Sequence, residues 1–217
     1  SFNSYIKAFN SMGSSIANTY LYSITALALI LVIGILTSYS AVRRPSVLTA
    51  ILDTTTMFPY IIPGSVLGIA MLLAFNHRPL LISGTALIII VTYVVRRLPY
   101  TIRSSHAILR QISPSVEEAA LSLGASSPKT FTKITVPMMI SGVLPGALMS
   151  WMSIISELSA SIMLYVGSTK TMTISIYTEV IRGNYGVASA LSTILIASTV
   201  IVLFLFFKIT GRSEIDL

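Results

Sequence analysis

Cysteine is absent from the 217 residues, so the chain can form neither a disulfide framework nor a thiolate metal site, and its redox compartment is left open. Any metal it handles must meet oxygen or nitrogen. Charge is scarce as well: 10% of residues are charged against 54% hydrophobic, too little polar surface to cover a soluble domain of this size. Only two histidines and seven acidic residues are present. No H-E-x-x-H occurs, and "GSTKT" at Gly167 to Thr171 lacks the glycine a phosphate loop carries before its lysine, so neither a zinc hydrolase nor an ATPase is encoded. The excess of 14 Lys and Arg over seven acids gives a net charge of +7, yet the basic residues stand at the ends of apolar runs. They form no stripe interleaved with aromatics, which argues against nucleic acid as a partner. Residue 1 is Ser and no charged leader with a cleavage site follows, so a preceding segment in a longer chain is expected.

The sequence is instead rich in long apolar runs, and a lipid bilayer is the expected surrounding. A helix needs about 20 apolar residues to cross one. Five such runs are found, at about 14–40, 49–75, 80–98, 138–165 and 187–207. Counting Lys and Arg in alternating connections places Arg43, Arg44, Arg96, Arg97, Arg103, Arg110, Lys129, Lys133, Lys208 and Arg212 on one side. Lys7, Arg78, Lys170 and Arg182 fall on the other. The richer side is expected to be cytoplasmic, with the amino terminus outside and the carboxyl terminus inside. Pro63 with Gly64 and Gly68 interrupts the second run, and Gly142, Pro145 and Gly146 interrupt the fourth. Small residues four apart admit close helix packing, while the prolines allow bent helices at a gate. Both readings stand.

Between the third and fourth runs lies "SPSVEEAALSLGASSPKTFTKITVP", Ser113 to Pro137. Ser113 suits an N-cap and Pro114 the first helical position, with Glu117 and Glu118 in the first turn, where the positive helix end favours carboxylates. Ser115 and Glu118 also have capping-box spacing, which allows a start two residues later. Gly124 is placed to stop a helix of about ten residues in a left-handed conformation. Val116, Ala119, Ala120 and Leu123 mark one small apolar face, fit either for a groove on another protein or for lying on lipid. Ser127 and Pro128 repeat the cap for a second short helix with Phe131 and Ile134, and Pro137 is expected to open the next span.

Among ionisable residues, Glu157 lies inside the fourth apolar run, where a charge is costly and by default functional. It is read either as a carboxylate on a translocation path, suited to a hard cation such as Fe(III) and poorly suited to an anion, or as an ion pair bracing helices. Tyr60, Tyr93 and Tyr165 are interface anchors or, for Tyr60 and Tyr93, path-lining groups. Asp53 and Thr54 to Thr56 read as capping and interhelical hydrogen bonding. His77 and His106 fall on opposite expected sides, so no stable metal site is expected. Glu179 and Arg182 belong to an outside segment, either contacting a partner or solvated.

The segment from Glu118 to Pro137 resembles the EAA loop of type I ABC importer permeases, with Glu118, Ala119, Ala120, Gly124, Ile134 and Pro137 in the family's places and Val136 where leucine is usual. "MFPYIIPGSVLGIAMLLAFN", "GTALIIIVTYVVRRLPYTIRSS" and "SELSASIMLY" extend the likeness to the ferric iron importer permeases, particularly the second half of fused versions. The resemblance implies an all-α membrane protein with a five-helix transmembrane core in one domain. Glu117, Glu118, Ala119, Ala120, Leu123, Gly124, Ile134 and Pro137 would then couple it to an ATPase. The implied partners are two ATPase subunits carrying ATP and Mg, a second permease half or copy, and an extracytoplasmic substrate-binding protein, in the inner membrane of a prokaryote. Ferric iron is the implied cargo, with phosphonate, sulfate, molybdate and polyamines as alternatives. An ion-coupled transporter or channel is the competing class, and an intramembrane enzyme lacks a nucleophile and base.

Overall fold

Apolar runs of this length fold as helices because lipid offers no partner for backbone N–H and C=O groups. The computed structural model describes residues 2–210, and among these every regular element is helical. Arg212, counted above with the basic residues, lies outside the described residues. Helix α1 (Phe2–Arg43) far exceeds its apolar run and kinks at Met12. Helices α2 (Val47–Thr55), α3 (Phe58–Ile61) and α4 (Gly64–Ala74) divide the second run. The axis turns by 114° between Ile61 and Gly64. Here Ile62 and Pro63 are extended, and Pro63 has no N–H to continue the ladder. The run expected as one span is therefore two segments at a wide angle.

Helix α5 (Ala86–Gln111) starts later and ends thirteen residues beyond the run expected over 80–98. Gly84, at φ +74°, turns the chain into it, and Pro99 is absorbed inside it. Arg96 and Arg97, expected to end a span, are thus interior to a helix, about 15 Å from its start and about 20 Å from its finish.

Helix α6 (Pro114–Ser122) follows a two-residue break. Then α7 (Ser127–Thr130), a π turn (Phe131–Thr135) and α8 (Val136–Ile155) run on as one 29-residue helix. Pro137 therefore lies inside a continuous helix and does not open one. The wider π turn just before it relaxes the contact between a proline ring and the preceding turn. Short α9 (Ser161–Leu164), α10 (Met172–Ile181) and α11 (Tyr185–Thr210) complete the chain. Three helices among the described residues are long and apolar enough to cross a membrane, four if the bent pair counts as one span. Charged residues keep α5 from meeting that measure.

In the middle of the bundle α5 packs along α1 on one side and α8 on the other. A large core joins Ile30, Ile88, Ile89, Ile102 and Ile154 with Leu67 and Met71 of α4. Cβ atoms added at Gly142 and Gly146 would lie 2.2 Å from Ile108 and 2.6 Å from Ser104. Close approach of α5 and α8 therefore requires both glycines. The Ser104 hydroxyl donates to the Gly142 carbonyl and accepts from the Gly146 N–H at 3.3 Å, so it stands within the helical ladder beside Pro145. In contrast, outer faces of α1 and α11 expose Leu21, Ile24, Val32, Ile196, Val200 and Phe204, surface that water would not favour.

Candidate functional site

Two broken helices meet at the middle of α5. One break is Ile62–Pro63 before α4, and the other spans Ser156 to Ala160 between α8 and α9. Glu157 sits in the second break, so it is not on a continuous helix as the apolar run implied. Its carboxylate is buried, 3% exposed, and both oxygens are occupied. Oε1 accepts from Arg96 Nη1 at 2.9 Å and from the Ala160 N–H at 3.1 Å, while Oε2 is held by Arg97 Nη2. The Glu157 carbonyl accepts from Thr173 Oγ1 at 2.9 Å, which ties the break to α10. Two guanidinium groups and a backbone N–H thus engage this carboxylate, an arrangement that ties α5 to the second break. Sequence reasoning missed the arginines as partners because "RR" closing an apolar run reads as a span end. The available signal was energetic: a lone carboxylate between helices needs a cation.

Gly64 makes the junction possible. A Cβ there would lie 2.2 Å from Arg96 Nη1 and 2.6 Å from Ser159 Cβ. One turn on, a Cβ at Gly68 would lie 2.8 Å from the Ala160 carbonyl. Pro63 thus supplies the bend, and the two glycines admit the guanidinium and the second break. The proposed path residues separate. Tyr93 is buried, its hydroxyl 2.7 Å from Ser161 Oγ, so it lines nothing open. Tyr60 is 47% exposed and meets the Tyr100 ring edge-on at 5.4 Å. Together with Met57, Pro99 and Arg103 they line a recess of about 260 Å³.

At the far end of α5, the local cap logic is realised. The Ser113 side chain accepts from the Ser115 N–H, and Pro114 is the first helical residue, so the later start at Ser115 is not used. Gly124 adopts φ +87°. The Gly124 and Ala125 N–H groups donate to the Leu121 and Ala120 carbonyls, closing α6 as a Schellman motif. The two glutamates face different ways. Glu117 accepts from Arg43 Nε and from the Tyr39 hydroxyl, each at 2.9 Å. Arg43 also donates to the Ile112 carbonyl at 2.8 Å, so the end of α1 clamps both α6 and the end of α5. Glu118, Ala119, Leu121 and Leu123 are exposed, and Leu123 is 89% so. Ala120 is buried and Val116 half-buried, so the four expected apolar positions divide between the bundle and the open surface. Ile134 is half-buried on the π turn.

His77 is exposed in the α4–α5 connection, whereas His106 is buried on α5 with Nδ1 3.9 Å from Asp53 Oδ1. Asp53 also reaches Arg103 at 3.4 Å, an interhelical role, and Ser46 rather than Asp53 caps α2. Glu179 is buried and accepts from Arg182 and Asn184 at 3.0 and 2.7 Å, so of this pair only Arg182, its side chain 63% exposed, reaches the surface. Burial holds the nearby Lys170 ammonium below its usual range, and Arg182 adds to the effect. No group of three or more potential metal ligands occurs among the described residues.

This arrangement of bent helices around an exposed capped helix has relatives. Residues 30–213 match the family described as binding-protein-dependent transport system inner membrane component. The chain belongs to this family. Over 201 residues the permease is 35% identical to the ferric transport system permease protein FbpB of Actinobacillus pleuropneumoniae, covering 93% of this chain and 29% of that protein. It is 29% identical to a Salmonella paratyphi A protein provisionally described as the 2-aminoethylphosphonate transport system permease PhnV, covering 71% of this chain and 58% of that one. The permease thus spans less than a third of the ferric relative. Among solved structures, a bacterial ABC transporter that imports the acidic polysaccharide alginate superposes with a TM-score of 0.77 at 15% identity, over 99% of this chain and 84% of that one. The MetNI methionine ABC transporter superposes with a TM-score of 0.68 at 18% identity, over 91% of each chain. At such identities these structures establish the fold, an all-α ABC permease domain.

Proposed function

We propose that the chain is the membrane-spanning core of an importer that moves ferric iron across the cytoplasmic membrane by alternating access, driven by ATP hydrolysis in separate ATPase subunits. The observation that carries the coupling part is α6: a helix capped at both ends, clamped to the bundle through Glu117 and Arg43, and presenting Glu118, Ala119, Leu121 and Leu123 outward. An ATPase cleft would seat that outer face. The inner clamp would carry its movement to α1 and α5. ATP and Mg belong to the ATPase, and a substrate-binding protein and a second permease half, fused or separate, complete the assembly. The side bearing α6 is cytoplasmic on the count of basic residues. Iron rests on the ferric relative, at 35% identity, ahead of the phosphonate relative at 29%.

The test is uptake of iron-55 by proteoliposomes of the complete transporter with ATP inside, comparing wild type with Glu118→Lys. Uptake that needs ATP and falls at least about tenfold in the variant, with the complex still assembled, supports the reading, since a reversed charge at a docking face costs about 1.4 kcal/mol or more. ATP-independent uptake unaffected by the variant would point to an ion-coupled carrier instead.

A further inference from the structure

The charges at the crossing of the two breaks do not balance. Arg96 and Arg97 bring two guanidinium groups to one carboxylate, so a single negative charge faces two positive ones. Both arginine side chains are 14% exposed, and the Nε–H of each is buried with no acceptor among the described residues. A buried donor without a partner is costly, and one positive charge in excess between apolar helices more so. The surroundings add to the imbalance. Helix α4 begins against Arg96, no side chain caps it, and its first-turn N–H groups carry the positive end of the helix dipole. The Tyr100 hydroxyl stands beside Arg97, and the adjoining recess holds Tyr60 and the 55%-exposed Arg103. Donors converge on this place, and among the described residues one carboxylate, already accepting three hydrogen bonds, reaches the two arginines.

We propose that Arg96, Arg97 and the start of α4 form an anion site for oxyanion oxygens of the cargo, either as a free phosphate- or carboxylate-type anion or as the oxyanion ligands around a ferric ion. This deepens the permease reading and rests on it. Bare Fe(III) would be repelled by the excess charge, so iron passing here travels with anionic oxygen ligands. Glu157 then has a different part from the one its sequence position suggested: it holds two guanidinium groups in place and leaves their remaining donors for the cargo. Arginine suits the task because its planar fork offers several fixed donors to oxyanions at once.

The experiment is equilibrium binding, without ATP, to the assembled full-length transporter in lipid nanodiscs. The probes are phosphorus-32 inorganic phosphate and iron-55 ferric citrate, measured separately. Arg97→Gln leaves a balanced Arg96–Glu157 pair and removes the excess charge. Pro63→Asp places a carboxylate at the start of α4, and Arg110→Gln, which removes an exposed charge near the far end of α5, is the control. Saturable binding of at least one probe, weakened about tenfold or more by Arg97→Gln and Pro63→Asp and kept within about twofold by Arg110→Gln, is expected. Binding of phosphate identifies a free oxyanion, whereas binding of ferric citrate alone identifies oxyanions carried on the metal. No saturable binding of either probe, or equal binding by wild type and Pro63→Asp, overturns the proposal. Since ATP is absent, this result stands apart from the ATP-driven uptake that tests the permease reading.

Discussion

At the scale of single residues, Glu157 shows how burial decides what a carboxylate can do. Removing its charge leaves Arg96 and Arg97 together in an apolar interior, and breaking a buried pair from one side costs on the order of 3 kcal/mol. Glu157→Gln is therefore expected to lower the thermal unfolding temperature of the purified complex and its yield, with transport falling in proportion to assembled protein. Full yield with abolished transport would instead give the carboxylate a direct part in passage. Gly64→Ala is expected to act at the same junction, because its methyl would occupy the place of Arg96 Nη1. The arginine must withdraw, and the Arg96–Glu157 bond with it.

Elements fail or hold through their ends. The Schellman closure of α6 depends on Gly124 at φ +87°, where a Cβ meets the following carbonyl. Gly124→Ala should cost about 1 kcal/mol and speed amide exchange at Gly124 and Ala125, with little change in α5. A side chain at Gly124 meets no other atoms within 4 Å, so the effect belongs to the backbone alone. These caps were legible in the sequence because they depend on a few neighbouring residues: Ser113, Pro114 and Gly124 each stand where the helix begins or ends. The continuity of α7 with α8 was not legible. Pro137 reads as a start signal, and only packing of the 29-residue helix against α5 favours carrying a proline through a π turn.

For the whole molecule, the absence of cysteine is an experimental advantage, since single cysteines can be introduced without background. Leu123→Cys, on the exposed face of α6, should react with a membrane-impermeant maleimide only in inverted vesicles. A cysteine at Ser168, in the exposed turn before α10, should react only in right-side-out cells. Exchanged reactivity would reverse the topology derived from the basic residues, and reaction of both from one side would overturn it. Of the five apolar runs, the second and the fourth contain breaks, and helix ends are displaced where helix and apolar run part company. Helix α5 outruns its apolar stretch because Arg96 and Arg97 are neutralised in part by a distant residue, which no local window contains.

The sequence alone determined the class of the protein: its surroundings, its helices and the capped segment between the third and fourth apolar runs. These follow from composition and from spacings of a few residues, which act locally. Only the tertiary structure decided which charges meet. Arg43 with Glu117 lies 74 positions apart, and Arg96 with Glu157 lies 61 apart. Such pairs form because an apolar interior makes any lone charge costly, and the fold alone determines which opposite charge lies within reach.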